Sequence, residues 1–124
     1  MQNAHKRLIV IWLLVTLLVI LTGCHHEERE YLADISVPLE GTSAEIVIKE
    51  WRWLLGSGAE VYYHNDGKLT LLGKTTGGDD GYCPFKEGKF TLNMEGNELV
   101  VRWSFRGSDP EDTWRVKRFA LPDT

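Results

Sequence analysis

Only two cysteines occur in 124 residues. That is too few for a disulfide framework or a four-cysteine zinc site. Proline is scarce at four residues and glycine stands at 12, which excludes collagen-like and proline-rich disordered chains. The chain also lacks a cationic excess: 14 basic residues face 18 acidic ones, a net charge of −4. Nucleic acid is therefore not an expected partner. Neither G-x-S-x-G, nor a P-loop, nor H-E-x-x-H occurs. No catalytic residue, cofactor or metal site is expected, and a non-enzymatic role follows as the expectation. The length allows one domain and is too short for a doubly wound enzyme of ordinary size.

What is present is uneven. The chain is 43% hydrophobic on average, but residues 8–21 are apolar throughout except for Thr16. His5, Lys6 and Arg7 precede this run without an acid, and Thr22-Gly23-Cys24 follow it. A positive start, a short apolar stretch and small residues at its end form an export signal. A 14-residue helix spans roughly 21 Å, short of a hydrocarbon core of about 30 Å. A permanent transmembrane helix is the competing reading. Against it, the polar residues His25-His26-Glu27-Glu28 begin at once.

Leu21-Thr22-Gly23-Cys24 resembles the lipobox of bacterial lipoproteins. The resemblance implies a diacylglyceryl group on the Cys24 thiol and cleavage between Gly23 and Cys24 by signal peptidase II. The new amino terminus can then be acylated as well. The chemistry is consistent, because the thiol is the soft nucleophile of this stretch. Two or three acyl chains hold a protein on a bilayer where one is marginal. Residue 25 is histidine. In enterobacterial lipoproteins an aspartate there favours retention in the inner membrane, so in a two-membrane host His25 leaves the outer membrane open.

Cleavage there divides the chain into a signal peptide, 1–23, and a mature protein, 24–124. Loss of Lys6 and Arg7 leaves 12 basic against 18 acidic residues, a net charge of −6. That balance disfavours electrostatic docking on anionic lipid. Lipidation of Cys24 leaves Cys83 as the remaining thiol and removes any internal disulfide. Cys83 is expected to be a small buried hydrophobe.

Residues 24–33 read as a polar tether, and 34–124 as an all-β domain. Alternation places strands at 35–38, 44–55, 60–64, 68–74, 89–95, 98–106 and 114–121. Pro38 confines the first strand to a sheet edge, and the last strand, which alternates less cleanly, is also placed at an edge. Within 44–55, Ile46, Ile48, Glu50 and Arg52 share one side and Val47, Lys49, Trp51 and Trp53 the other. The β-branched run Ile46-Val47-Ile48 favours strand over helix. Gly56-Ser57-Gly58 reads as a break and Asn65-Asp66-Gly67 as a hairpin turn. About seven short strands indicate a small antiparallel β-sandwich or barrel behind the N-terminal signal helix.

Trp51, Trp53, Trp103 and Trp114 could stack on a glycan or peptide. Core packing is the competing role, especially for Trp103 in its apolar alternation. Trp51, Trp53, Ser57 and Gly58 are taken as candidate binding residues, with an envelope protein or glycan as the partner class. Gly77-Gly78-Asp79-Asp80-Gly81 reads as a surface turn, because it has no distal glutamate at calcium-loop spacing. His64 is read as a surface residue.

Two further resemblances bear on the domain. The stretch 50–62 (EWRWLLGSGAEVY), with Asp79-Asp80-Gly81-Tyr82-Cys83-Pro84-Phe85, is similar to small lipoproteins and exported proteins of Gram-positive bacteria. This implies a single cytoplasmic membrane and an outward-facing domain, and no particular activity. Ser57-Gly58-Ala59-Glu60 also resembles the Ser-Gly-x-x-Tyr motif of periplasmic lysozyme inhibitors. Here Val61 stands in the tyrosine position and Tyr62 comes one place late. Lys74-Thr75-Thr76-Gly77 departs from that family's Thr-Lys-Gly ending, and its paired cysteines are missing. No functional residue is carried over. The expected function is a lipid-anchored extracytoplasmic binding protein, with an inhibitor of a cell-wall hydrolase such as lysozyme as the alternative.

Overall fold

The computed structural model describes residues 2–23 and 29–122. Helix α1 runs from Gln2 to Gly23. Its apolar side chains are exposed along residues 8–18, Trp12 at 69%. A helix that is apolar all round belongs in apolar surroundings. Among the described residues, no helix is long and apolar enough to cross a membrane. Cys24, the expected lipidation and cleavage position, lies outside the described residues, as do His25, His26, Glu27 and Glu28.

Among the described residues, eight strands follow in two antiparallel sheets. In the first sheet β1 (Glu30–Tyr31) and β2 (Ile35–Pro38) both pair with β3 (Glu45–Trp53). Strand β3 continues through β4 (Gly56–Asn65) to β5 (Lys68–Thr76). The second sheet is β6 (Phe90–Glu95), β7 (Glu98–Trp103) and β8 (Arg115–Ala120), in that order. The fold is thus all-β and antiparallel, as the alternation implied. Edge positions for β2 and β8 also match their sequences.

The core lies between the sheets. Ile46, Ile48, Ala59 and Val61 face Leu99, Val101, Trp103 and Phe119, with Phe85 added from the connection. Full burial of an isoleucine or leucine contributes about 1.5–3 kcal/mol, so these positions carry most of the hydrophobic stabilisation. The seam between β5 and β8 is closed at Gly73 and Lys74. A Cβ on Gly73 would come within 2.6 Å of the Phe119 ring. A register slip beside Val61 sets Gly73 opposite Val61 and Leu71 opposite Tyr62. The Lys117 ammonium donates to the Lys74 carbonyl at 2.6 Å. The opposite seam, between β2 and β6, stays open as a cleft of about 540 Å³ lined by Val37, Pro38, Leu39, Glu40, Leu92, Asn93 and Met94.

Three expectations are corrected. The domain begins before residue 34, because Glu30 pairs with Arg52 and Tyr31 with Trp51 in register. The Leu32 N–H then donates to the Glu50 carbonyl at 2.9 Å. A two-residue bridge is too short to leave an alternation in the sequence. Gly56-Ser57-Gly58 is no break: it opens β4, paired with Trp53, Arg52 and Trp51. The turn falls instead on Leu54-Leu55, which was assigned to the strand. Strand β7 stops at Trp103: Ser104 still donates its N–H to the Lys89 carbonyl at 3.0 Å, while its hydroxyl accepts the Gly107 N–H at 2.7 Å as the chain turns into the following loop.

Candidate functional site

Pairing gathers the four candidate residues at one end of the β3–β4 hairpin. Trp51 stands opposite Gly58, Arg52 opposite Ser57, and Trp53 opposite Gly56. Both indoles pack across glycines of the neighbouring strand. A Cβ on Gly58 would lie 2.5 Å from Trp51 Cζ2, and one on Gly56 would lie 3.0 Å from Trp53 Nε1. Aromatic side chains commonly cover strand glycines in this way. Trp51 is only 7% exposed, and the Arg29 guanidinium lies 5.1 Å above its ring. Its faces are therefore occupied from within the protein. Trp53 is half-buried. Of the other two tryptophans, Trp103 is buried in the core and the half-buried Trp114 donates its indole N–H to the Asp109 carbonyl at 3.2 Å.

Ser57 fastens the chain that crosses between the sheets. Its hydroxyl donates to the Tyr82 carbonyl at 2.6 Å and accepts the Gly78 N–H at 3.1 Å. Gly77 touches the same strand so closely that a Cβ would lie 1.8 Å from the Ser57 carbonyl oxygen. The Asp79–Gly81 turn continues this connection. The Asp79 carboxylate lies 3.7 Å from the Arg106 guanidinium. The glycine-aspartate stretch is therefore a docked connection between the sheets.

Sequence reading missed the role of Glu50. Its place among Ile46 and Ile48 on the inner face was the available signal. Only 1% of it is exposed. One carboxylate oxygen accepts the Phe85 N–H at 3.0 Å and the other the Lys86 N–H at 2.9 Å. Burial raises its pKa above the ordinary glutamate value, against the lowering effect of those two bonds. Cys83 is buried as expected. Burial, with the Glu50 charge, pushes its thiol pKa up, and the thiol donates to the Gly81 carbonyl at 3.4 Å. A thiol held protonated is a poor nucleophile.

Asp109 was also missed inside a stretch read as a plain connection. It accepts hydrogen bonds from the Ser104 hydroxyl, from the Phe105 N–H at 3.0 Å and from the Arg106 N–H at 3.3 Å. The Ser104 bond leads in drawing its pKa down to about 2. On the outer face His64 has a partner, Glu45, at 2.9 Å across the β3–β4 ladder. Tyr62 bonds Glu60, which pushes the phenol up to about 12.

Beyond these groups the surface offers the β2–β6 cleft and a second hollow of about 340 Å³ where β5 meets β8, lined by Thr76, Trp103, Arg115, Val116 and Lys117. No protein-family model matches the chain, and neither curated proteins nor solved structures give a match.

Proposed function

We propose that this chain is a lipid-anchored, extracytoplasmic β-sandwich whose role is binding rather than catalysis. The observation that carries the reading is the order of parts. An apolar helix ends at Gly23, the lipidation cysteine comes next, and the β domain starts by Glu30. Six residues of extended chain reach at most about 20 Å, so acyl chains on Cys24 would hold the domain against the bilayer surface. A non-catalytic role is supported by how the buried and perturbed groups are used. Glu50 binds two backbone N–H groups, Cys83 is held as a thiol, and Asp109 ties a loop together.

For the alternative, inhibition of a cell-wall hydrolase, residues 57–60 carry the resemblance to lysozyme inhibitors. They lie within β4, paired with β3, and Ser57 is engaged by Tyr82 and Gly78. The binding role is therefore better assigned to the open β2–β6 cleft than to that segment.

Radiolabelled palmitate supplied to cells making the full chain tests the anchor. The expected result is label that stays with the protein and disappears in Cys24→Ser, together with loss of the processed form. Equal labelling of both proteins would refute the assignment.

A further inference from the structure

The β3–β4 hairpin turns on Leu54-Leu55, which are 94% and 77% exposed. Two-residue hairpin turns favour Asn, Asp and Gly, which accept a positive φ. The other end of β4 follows that rule, with Asp66 at φ 52° and Gly67 at φ 74°. Leu54 and Leu55 make their turn without a positive φ, so its backbone accepts leucine, but the side chains gain nothing from water. The conflict is with solvation alone, and two adjacent leucines left in water at a hairpin tip mark a candidate contact position.

The topology places this tip. Strand β1 runs antiparallel to β3, with Glu30 beside Arg52 and Tyr31 beside Trp51. Followed backwards from Tyr31 to Glu30, the chain heads in the direction in which β3 runs out to Leu54. Cys24 is six residues before Glu30, within about 20 Å even for a fully extended chain. The tip and the anchor therefore share one end of the domain, and the Asp66-Gly67 turn lies at the other.

We propose that Leu54 and Leu55 insert into the surface of the bilayer to which the chain is anchored, with Trp53 at the headgroup level. This rests on the reading that the N-terminal segment holds the protein on a membrane. Indole rings are favoured at that level. Around the base of the hairpin Arg29, Arg52 and Arg106 stand with Glu30, Asp79 and Asp80, and Glu27 and Glu28 precede them in the sequence, so this end carries no cationic excess. Of these, Arg52 pairs with Glu30 and Arg106 with Asp79. The insertion is accordingly apolar, independent of anionic lipid and insensitive to salt. It fixes the orientation of the sandwich, with the Leu54-Leu55 tip at the membrane and the Asp66-Gly67 turn, at the other end of β4, away from it.

Full-length protein extracted from membranes is reconstituted in phosphatidylcholine vesicles. An environment-sensitive dye is placed on Leu54→Cys or, as a far-end control, on Lys68→Cys. Insertion predicts blue-shifted emission at position 54, quenched by lipid-borne quenchers near the headgroups and unchanged at high salt, with neither effect at position 68. Adding Leu55→Asp to the Leu54→Cys protein should abolish the quenching. Retained quenching would mean that the dye inserts by itself and would overturn the proposal. So would a water-exposed dye at 54, or one shielded from water but untouched by lipid quenchers, which would indicate a protein partner or a second copy. Palmitate labelling of the same preparation separates the two readings. Tip quenching without label on Cys24 refutes the lipid anchor alone, and label without quenching refutes the insertion alone.

Discussion

Trp51 packs on Gly58 across the β3–β4 ladder so closely that a Cβ at Gly58 would lie 2.5 Å from the indole. Gly58 is also paired with Thr76 of β5. The glycine sits in an interior strand and cannot yield without disturbing both neighbours. It is the indole that converts a residue of poor strand propensity into a packed position.

Gly58→Ala should therefore cost about 1–3 kcal/mol through overpacking. In a domain of this size that lowers the melting temperature by roughly 4–8 °C per kcal/mol. Thermal unfolding measures the loss, and tryptophan emission should shift to longer wavelength as Trp51 is displaced. Gly58→Ala with an unchanged melting temperature would contradict the packing role.

Glu50 yields a prediction with a definite sign. Its pKa in the folded state is raised above 4.5. Its contribution to stability is thus fully present below pH 4.5 and is lost as the pH rises through the raised value. Denaturant unfolding from pH 4 to 8 should show the wild type losing stability relative to Glu50→Gln, which cannot ionise. Glu50→Ala strands the buried Phe85 N–H and should cost about 1–3 kcal/mol for that donor at any pH. A wild-type and Glu50→Gln difference that is constant across this range would refute the assignment.

Asp109 works in the opposite direction. Its pKa is drawn down to about 2 from 3.8. Its contribution is present above pH 3.8 and fades as the pH falls through about 2. Asp109→Asn should remove this part of the acid transition and loosen residues 104–109. Hydrogen exchange at the Phe105 and Arg106 amides reports the loosening directly. Unaltered protection of both amides in the variant would show that the carboxylate does not organise the loop.

Much of the fold was legible because burial leaves a period of two. Ile46 and Ile48 alternate with Val47 and Lys49, and Leu99, Val101 and Trp103 alternate with Val100 and Arg102. The pattern grouped the residues of each face, and the structure shows which group of each strand lies in the core. Asp66-Gly67 was legible because its φ angles demand those residues. The β1 bridge was not, because two residues carry no period. The position of the first hairpin turn was also concealed. Gly56-Ser57-Gly58 has turn composition, but its glycines serve to admit Trp53 and Trp51, a contact between strands that no local pattern records. Glu50 looked like an ordinary charge within an alternating strand, although its partners lie 35 and 36 residues away.

The sequence by itself determined most of the sheet-forming segments, the grouping of residues by face, and the N-terminal arrangement of charge, apolar run, small residues and cysteine. These are properties of adjacent residues, set by side-chain polarity and backbone preference. Only the tertiary structure decided which strands neighbour one another. It decided that Leu54-Leu55 forms an exposed tip at the end of the domain where β1 begins. It also decided that Trp51 is spent on Gly58, because each of these depends on register between strands.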